Sequence, residues 1–312
     1  MGIPSDEKEF LRCLHNCNLE TGRMMEVMSE FYGEDAFVPY GPKTISNMRS
    51  GFRSENKKFD IGETLQYFKE LQQKDPNFFY KFSFDSENRV ETIFWVDSVA
   101  RKAYVEAYHD CVSFDTTFCT NRFNIPFDPF IGIKRHGQSF MLGCGFLRDE
   151  KEESFKWLFK EFLEAMHGMQ PTNIITHQDW AMGRAILAIF PDSVHINCRW
   201  HIMKKANEKL GSFLGRRPGL ANEFSECIDE SMTIEEFEAS WTELVMKWGL
   251  SKNETFAWLK KNAHTWVPCY FRQRFFPFLQ STQRSEGLNV VLKRYINPQN
   301  SIKHFVRQYE KI

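Results

Sequence analysis

The spacing of apolar residues predicts helices near both ends of the first 75 residues. In EKEFLRCLHNCN (residues 7–18) and GETLQYFKELQQK (residues 62–74), apolar side chains recur at intervals of three and four, the period of an amphipathic helix. The stretch between them, YGPKTISNMRSGFRSENKKFD (residues 40–60), is polar, basic and rich in turn-forming residues. It predicts a solvated loop that serves as a linker or faces DNA. Residues 1–75 are therefore expected to form a helical N-terminal region.

Over residues 76–210 the pattern first has a period of two and then alternates between strands and helices. A leading hairpin over residues 78–97 is predicted by NFFYKFSF and RVETIFWVD. Three strands are predicted next, from CVSFDTTF and from FIGIKRHGQSFMLGCGFL with a turn at His136–Gly137. The helix ESFKWLFKEFLEAM then precedes two strand–helix units, TNIIT with AMGRAILAIF and SVHINCRW with HIMKKANEKL. Three meandering strands followed by such units predict a mixed α/β sheet with helices packed on it.

The remaining chain predicts mainly helices. Residues 211–280 are rich in Glu, Lys, Phe and Trp at helical spacing, which indicates a helical insertion. Residues 281–312 begin with STQRSEGLNVVLKRYI, a predicted final core helix for which Ser281 or Thr282 is a plausible cap. A C-terminal tail follows it.

Composition favours a folded chain in a reducing compartment. Of 312 residues, 42% are hydrophobic and 15% aromatic, which is enough for a sizeable core. The net charge of −1 gives no indication of strong nucleic-acid binding, and no run approaches the roughly 18 apolar residues of a membrane span. The eight Cys residues include no CxxC pair, which is typical of a cytosolic or nuclear protein.

Three positions carry candidate chemistry once the predicted elements are placed on a sheet. Asp115 lies in the first core strand, His177 directly follows the strand NIIT, and Glu286 lies on the helix after the insertion. Acids at these three places converge in a ribonuclease H-like fold, where they hold two divalent metals for phosphoryl transfer. Such a site uses the oxygen ligands that Mg²⁺ and Mn²⁺ prefer. His177 is therefore a catalytic base, a metal ligand or a replacement that inactivates the site.

Several long segments resemble the Mutator-like element (MULE) transposase domain of the plant far-red-impaired-response proteins. They are residues 113–166, beginning SFDTTFCTNRF, together with PTNIITHQDWAMGRAI, FPDSVHINCRWHIMKK and STQRSEGLNVVLKRYI. The resemblance covers residues 20–312. It implies a ribonuclease H-like core of DDE transposase type, in a family of nuclear transcription regulators derived from DNA transposases. Full-length members also carry an N-terminal zinc-finger domain and a C-terminal SWIM zinc finger, and this chain is expected to hold neither.

The resemblance places the acidic triad at Asp115, His177 and Glu286. Asp115 stands in FDTT and Glu286 in RSEG, but the family motif ITDQD is ITHQD here, so a histidine replaces the second acid. A neutral imidazole cannot supply the anionic oxygen that bridges two hard cations. The implied site is inactive, with weak divalent-metal binding at Asp115 and Glu286. Asp179, two residues on, is a possible substitute if its loop shifts.

A second motif, C-x2-H, is formed by Cys198 and His201 in HINCRWH, as in Mutator-like transposases. A structural zinc site usually has four ligands, and further ligands would have to come from Cys227, His264 and Cys269 in the insertion. The alternative is a packed Cys-Trp-His cluster that joins the last strand to the insertion.

A basic and aromatic stretch, WVPCYFRQRFFPFLQSTQRSE, contains Arg272, Arg274 and Arg284. Arginine beside aromatic surface suits phosphate contact and base stacking. The alternative is that the aromatic residues form the core of the insertion and the arginines cap it.

Three functional hypotheses follow from this sequence. The first is a nuclear regulator of transcription whose inactive core is an interaction scaffold, as a homodimer or as a heterodimer with related family members. It would bind DNA weakly without the zinc-finger modules and would have no membrane partner. The second is a Mutator-like transposase that performs strand transfer with Mg²⁺ or Mn²⁺. The third is a truncated relic without function.

Overall fold

A seven-stranded mixed sheet forms the centre of the chain. The computed structural model describes residues 3–17, 19–34, 37–55, 60–116, 126–276, 287, 290 and 301–309. The strands are β1 (Phe79–Phe84), β2 (Val90–Val96), β3 (Cys111–Phe114), β4 (Phe127–Ile133), β5 (Ser139–Leu147), β6 (Asn173–Thr176) and β7 (Val194–Asn197). Their order across the sheet is β1-β2-β5-β4-β3-β6-β7.

Helices precede the sheet, cover it and extend beyond it. The described helices are α1 (Ser5–Asn16), α2 (Thr21–Tyr32), α3 (Pro42–Glu55), α4 (Asp60–Lys74), α5 (Ser98–Ala103), α6 (Glu152–Ala165), α7 (Trp180–Ile189), α8 (Arg199–Gly215), α9 (Leu220–Asp229), α10 (Ile234–Trp248), α11 (Glu254–Lys261) and a terminal helix (Ile302–Tyr309). A π-helical turn (Tyr104–Tyr108) continues α5. No helix among the described residues is long and apolar enough to span a membrane.

The sheet has an antiparallel part and a parallel part. β1 pairs antiparallel with β2, β2 with β5, β5 with β4, and β4 with β3. β3, β6 and β7 pair in parallel, which requires crossover connections. The helix α6 lies in the connection from β5 to β6, and α7 lies in that from β6 to β7. The carboxyl ends of three neighbouring parallel strands therefore meet at one edge of the sheet.

The two faces of the sheet carry separate cores. On one face, α6 and α7 pack on a cluster rich in phenylalanine, in which Phe130 and Phe162 stack with their ring centroids 4.2 Å apart. Gly145 lets α6 approach closely, because a Cβ there would lie 2.6 Å from Cδ1 of Leu158. On the opposite face, α4 and the terminal helix cover Trp95 and neighbouring strand residues. The insertion helices form their own core with α8.

Most of the predicted elements are confirmed, and two segments differ. The mixed α/β sheet, the leading hairpin and the helices of the insertion are present. The loop prediction for residues 40–60 is wrong, because α3 occupies most of it and buries Ile45 and Phe52. Helix α5, capped by Asp97 through a 2.7 Å bond from the amide of Ala100, had no predicted counterpart. The predicted final core helix lies largely outside the described residues.

Candidate functional site

Asp115 and His177 are neighbours because each follows one of two adjacent parallel strands. β3 and β6 pair with Phe114 beside Thr176, so the next residues along both strands also lie side by side. Every residue of these two strands is buried, as expected for the centre of a sheet covered on both faces. The structure therefore brings together two of the three positions predicted from the sequence.

The imidazole of His177 is bonded to the carboxylate of Asp115. Nδ1 of His177 lies 2.7 Å from Oδ1 of Asp115. An ionised carboxylate only accepts hydrogen bonds, so Nδ1 carries the proton and Nε2 has the lone pair in the neutral ring. The side chain of Asp115 is 9% exposed and that of His177 is 21% exposed. The carboxylate is thus shielded, while part of the imidazole reaches solvent.

The hydroxyl of Thr176 links the backbone of His177 to the ring of His195. The Thr176 hydroxyl donates to the carbonyl of His177 at 2.8 Å and lies 2.9 Å from Nε2 of His195. Because the hydroxyl has one proton, Nε2 of His195 must donate to it. Burial lowers the pKa of His195 to about 4, so this ring is neutral at pH 7. Neither residue was predicted from the sequence to have a role at this site.

His201, at the first turn of α8, lies beside His177. Their ring centroids are 6.0 Å apart and their planes meet at 65°. Trp200 packs edge-on against His201 with a centroid distance of 4.8 Å. Burial lowers the pKa of His201, Asp115 opposes that effect, and His177 and cations of α8 add to it. Two imidazoles and one carboxylate therefore share this edge of the sheet.

Asp179 caps helix α7. Its Oδ1 accepts a hydrogen bond from the backbone N–H of Met182 at 2.8 Å, which satisfies one of the free N–H groups at the helix start. Moving this carboxylate toward Asp115 would break the cap, at a cost of about 1 kcal/mol.

Two further acids lie near Asp115. Asp128 on β4 is fully buried, and among the described residues neither of its carboxylate oxygens has a hydrogen-bonding partner of good geometry. Burial raises its pKa well above the usual value, Glu150 and Asp115 raise it further, and the amide of Leu147 offsets part of this. Glu150 accepts a 2.6 Å hydrogen bond from Thr116. Neither acid was predicted from the sequence, and the one signal for Asp128 was a charge inside an apolar strand.

The two members of the C-x2-H motif face different surroundings. Cys198 is fully buried in an apolar cluster with residues of β3, β6 and β7, whereas His201 faces His177. Cys227 and Cys269 lie in the core of the insertion, where burial raises the pKa of both thiols. Across the described parts of the chain, no three His, Cys, Asp or Glu side chains are placed to hold one metal ion.

The arginine candidates are only partly described. Arg272 donates to the carbonyl of Ser231 at 3.3 Å, which ties it to the end of α9, and Arg274 is exposed. Arg284 and Glu286 lie outside the described residues. The convergence of Glu286 with Asp115 therefore stays a prediction.

The described side chains do not fit a pair of Mg²⁺ ions. A two-metal site requires anionic oxygens that bridge or flank both cations. The side chain beside Asp115 at the strand end is the imidazole of His177. Its Nδ1 already donates a hydrogen bond to Oδ1 of that carboxylate, at a distance of 2.7 Å.

Comparisons with known proteins extend this description. Residues 111–205, from β3 into α8, match the MULE transposase domain. Over 311 residues the chain is 32% identical to Protein FAR1-RELATED SEQUENCE 5 of Arabidopsis thaliana, covering 99% of this chain and 39% of that protein. Over 245 residues it is 34% identical to Protein FAR-RED IMPAIRED RESPONSE 1 of the same plant, covering 78% of this chain and 30% of that protein.

The chain spans well under half of the length of these curated relatives, 39% of the first and 30% of the second. Within that span the resemblance found in the sequence is confirmed. Residues 111–205 match the MULE transposase domain, and over most of its length the chain is homologous to the far-red-impaired-response and FAR1-related proteins of plants.

Proposed function

We propose that this chain is the interaction scaffold of a transposase-derived nuclear regulator of transcription, built on a ribonuclease H-like core with an inactive DDE site. The strand order β5-β4-β3-β6-β7, antiparallel over its first three strands and parallel over its last three, supports the ribonuclease H-like assignment. The name of one relative refers to an impaired far-red response, which supports regulation rather than transposition.

The observation that carries the proposal is the bond between His177 and Asp115. The first acid of the triad accepts a proton from the residue that replaces the second acid, at 2.7 Å. Asp179, the possible substitute, is held at the cap of α7. Without an acid at position 177, a hard divalent cation loses a large part of the electrostatic stabilisation that strand transfer requires.

The test is cleavage of a terminal-inverted-repeat DNA in the presence of Mn²⁺, combined with calorimetric titration of Mn²⁺. We expect the native chain to give no product and weak binding or none, because one of about three carboxylates is missing. We expect His177→Asp to restore Mn²⁺ binding, and Asp115→Ala to abolish it again in that background. A product from the native chain that disappears in Asp115→Ala would overturn the proposal.

A second candidate is a Mutator-like transposase that has kept metal-dependent strand transfer. The observation that favours it is that Asp128 lies close enough to both Asp115 and Glu150 for their charges to interact. Carboxylates from this cluster could replace the missing second acid. The same cleavage assay separates the two functions, since only the transposase yields an Asp115-dependent product.

Protein partners are the second part of the proposal, as a homodimer or as a heterodimer with related family members. The outward face of α7 carries Trp180 and Leu187, which are 72% and 73% exposed, seven residues apart on one side of the helix. Arg184 lies between them, 4.7 Å above the Trp180 ring. An exposed apolar stripe of this kind is typical of a contact surface.

A further inference from the structure

The replacement of an acid by His177 also supplies a new kind of ligand. We propose that His177 and His201 bind one borderline divalent transition-metal ion of the zinc, cobalt and nickel class, with Asp115 as the positioning carboxylate behind His177. This inference rests on the proposed function, because it starts from the loss of the hard-cation site.

The first support is the orientation of the His177 ring. Its Nδ1 donates to Asp115 at 2.7 Å, which leaves the Nε2 lone pair available. Metal-binding histidines usually donate their other ring N–H to a carboxylate or carbonyl, which fixes the tautomer and makes the ligand nitrogen more basic. Asp115 is nearly buried and His177 partly exposed, so the carboxylate lies on the protein side and an ion can approach from solvent.

The second support is the distance between the two imidazoles. A zinc-type ion lies about 2.0–2.1 Å from each ligating nitrogen, so two imidazoles that share one ion have ring centres about 5–6 Å apart. The ring centroids of His177 and His201 are 6.0 Å apart and the planes are inclined by 65°. The observed separation is therefore compatible with one ion bound between the two rings.

The third support is ligand chemistry. Imidazole nitrogen favours zinc, copper and nickel, whereas carboxylate and water favour magnesium and manganese. The replacement of an acid by His177 therefore changes which class of cation binds best at this edge of the sheet. Cys198 belongs to a separate apolar cluster, so the pair that we propose differs from the C-x2-H motif.

The surroundings allow a cation but do not enclose it. Lys204 lies over the ring of Trp200 at 5.0 Å, and Lys205 donates to the carbonyl of Gln178 at 3.2 Å, so both amines have their own partners, and their charges still act on His201. Within the described chain no third ligand of the usual types joins the two imidazoles. Water molecules would complete the coordination, as in sites that keep an open position.

The experiment is titration of Co²⁺ into the full chain, followed by its visible absorption and by competition with Zn²⁺, beside a titration of Mg²⁺. The variants are His177→Gln, His201→Gln and Asp115→Asn. The matched control is His136→Gln, which removes an exposed histidine at the turn between β4 and β5. Circular dichroism of each variant verifies that it is folded.

We expect the native chain and the control to bind Co²⁺ with equal affinity. Both His→Gln variants should bind more than about 10-fold more weakly, and Asp115→Asn about 10–100-fold more weakly, the usual effect of losing a carboxylate behind a ligand. His177→Asp should gain Mn²⁺ binding and bind Co²⁺ with less preference over Mn²⁺ than the native chain does. Co²⁺ binding that is unchanged in the folded His177→Gln and His201→Gln variants, or absent from the native chain, would overturn this inference alone. Asp115-dependent Mg²⁺ binding together with DNA cleavage would overturn the proposed function instead.

Discussion

The residue after β6 decides the chemistry of the sheet edge, because it stands at hydrogen-bonding distance from Asp115. An aspartate there would place two carboxylates together, and a divalent cation would relieve their repulsion. His177 donates to Asp115 at 2.7 Å instead. This hydrogen bond satisfies Oδ1 of Asp115 within the protein, so no cation is needed to relieve repulsion from a second carboxylate at that position.

Asp128 leads to a prediction about stability and pH. Because burial raises its pKa well above the usual value, the folded chain holds this proton more tightly than the unfolded chain does. The free energy of unfolding therefore falls as pH rises from about 4, the ordinary aspartate value, through the raised pKa of the folded state. Asp128→Asn cannot ionise, so we expect it to be more stable than the native chain at pH 8, by on the order of 1–3 kcal/mol.

The measurement is urea unfolding of both proteins between pH 4 and pH 8. Their difference in stability should grow in favour of Asp128→Asn as pH rises, and should be smallest at pH 4. The control is Asp6→Asn, which changes an exposed carboxylate in α1 and should not show a difference that grows in favour of asparagine as pH rises. A difference for Asp128→Asn that stays constant with pH would contradict the raised pKa.

At the scale of elements, strong periodicity allowed prediction and weak periodicity did not. Helix α6 was predictable because Phe155, Leu158, Phe159 and Phe162 are all buried on one side. Helix α3 was missed because its apolar residues are few and its surrounding sequence is polar, with Pro42 at the first position. Helix α5 is six residues long, too short to show a helical period.

Helix α7 leads to a prediction about association. Its buried side, with Met182, Ala185 and Ile186, holds it on the sheet, so Leu187 on the outward side is free to contact a second copy. We expect the native chain to form a dimer by sedimentation equilibrium, and Leu187→Lys to shift it toward monomer without loss of stability. Met246→Lys is the matched control, since Met246 on α10 is also 73% exposed. Equal association of all three proteins would exclude this face of α7.

At the scale of the whole molecule, the sequence predicted which strand ends meet but not every group that gathers there. Asp115 and His177 follow buried strands, and parallel strands display the residues that follow them at one edge, so their proximity was predictable. The approach of His201 depends on how α8 leaves β7, and the burial of Asp128 depends on what covers β4. Neither depends on local periodicity, so only the folded chain reveals them.

The terminal helix packs beside α4 on the face of the sheet opposite α6. Phe305 of that helix is fully buried, with ring centroids 4.6 Å from Phe127 and 5.0 Å from Phe146. If the terminal helix belongs to the same cooperative unit as the sheet, Phe305→Ala should lower the free energy of unfolding by about 3–5 kcal/mol, the usual cost of deleting a buried ring.

Urea unfolding followed by circular dichroism tests this, with Phe84→Ala as control. Phe84, on β1, is 52% exposed, so its removal should change stability by about 0.5 kcal/mol or less. Cooperative packing predicts that Phe305→Ala unfolds in one transition at a lower urea concentration, because the sheet loses packing that it cannot replace. A native-like main transition, or a cost no larger than that of Phe84→Ala, would show that the sheet is stable without the terminal helix.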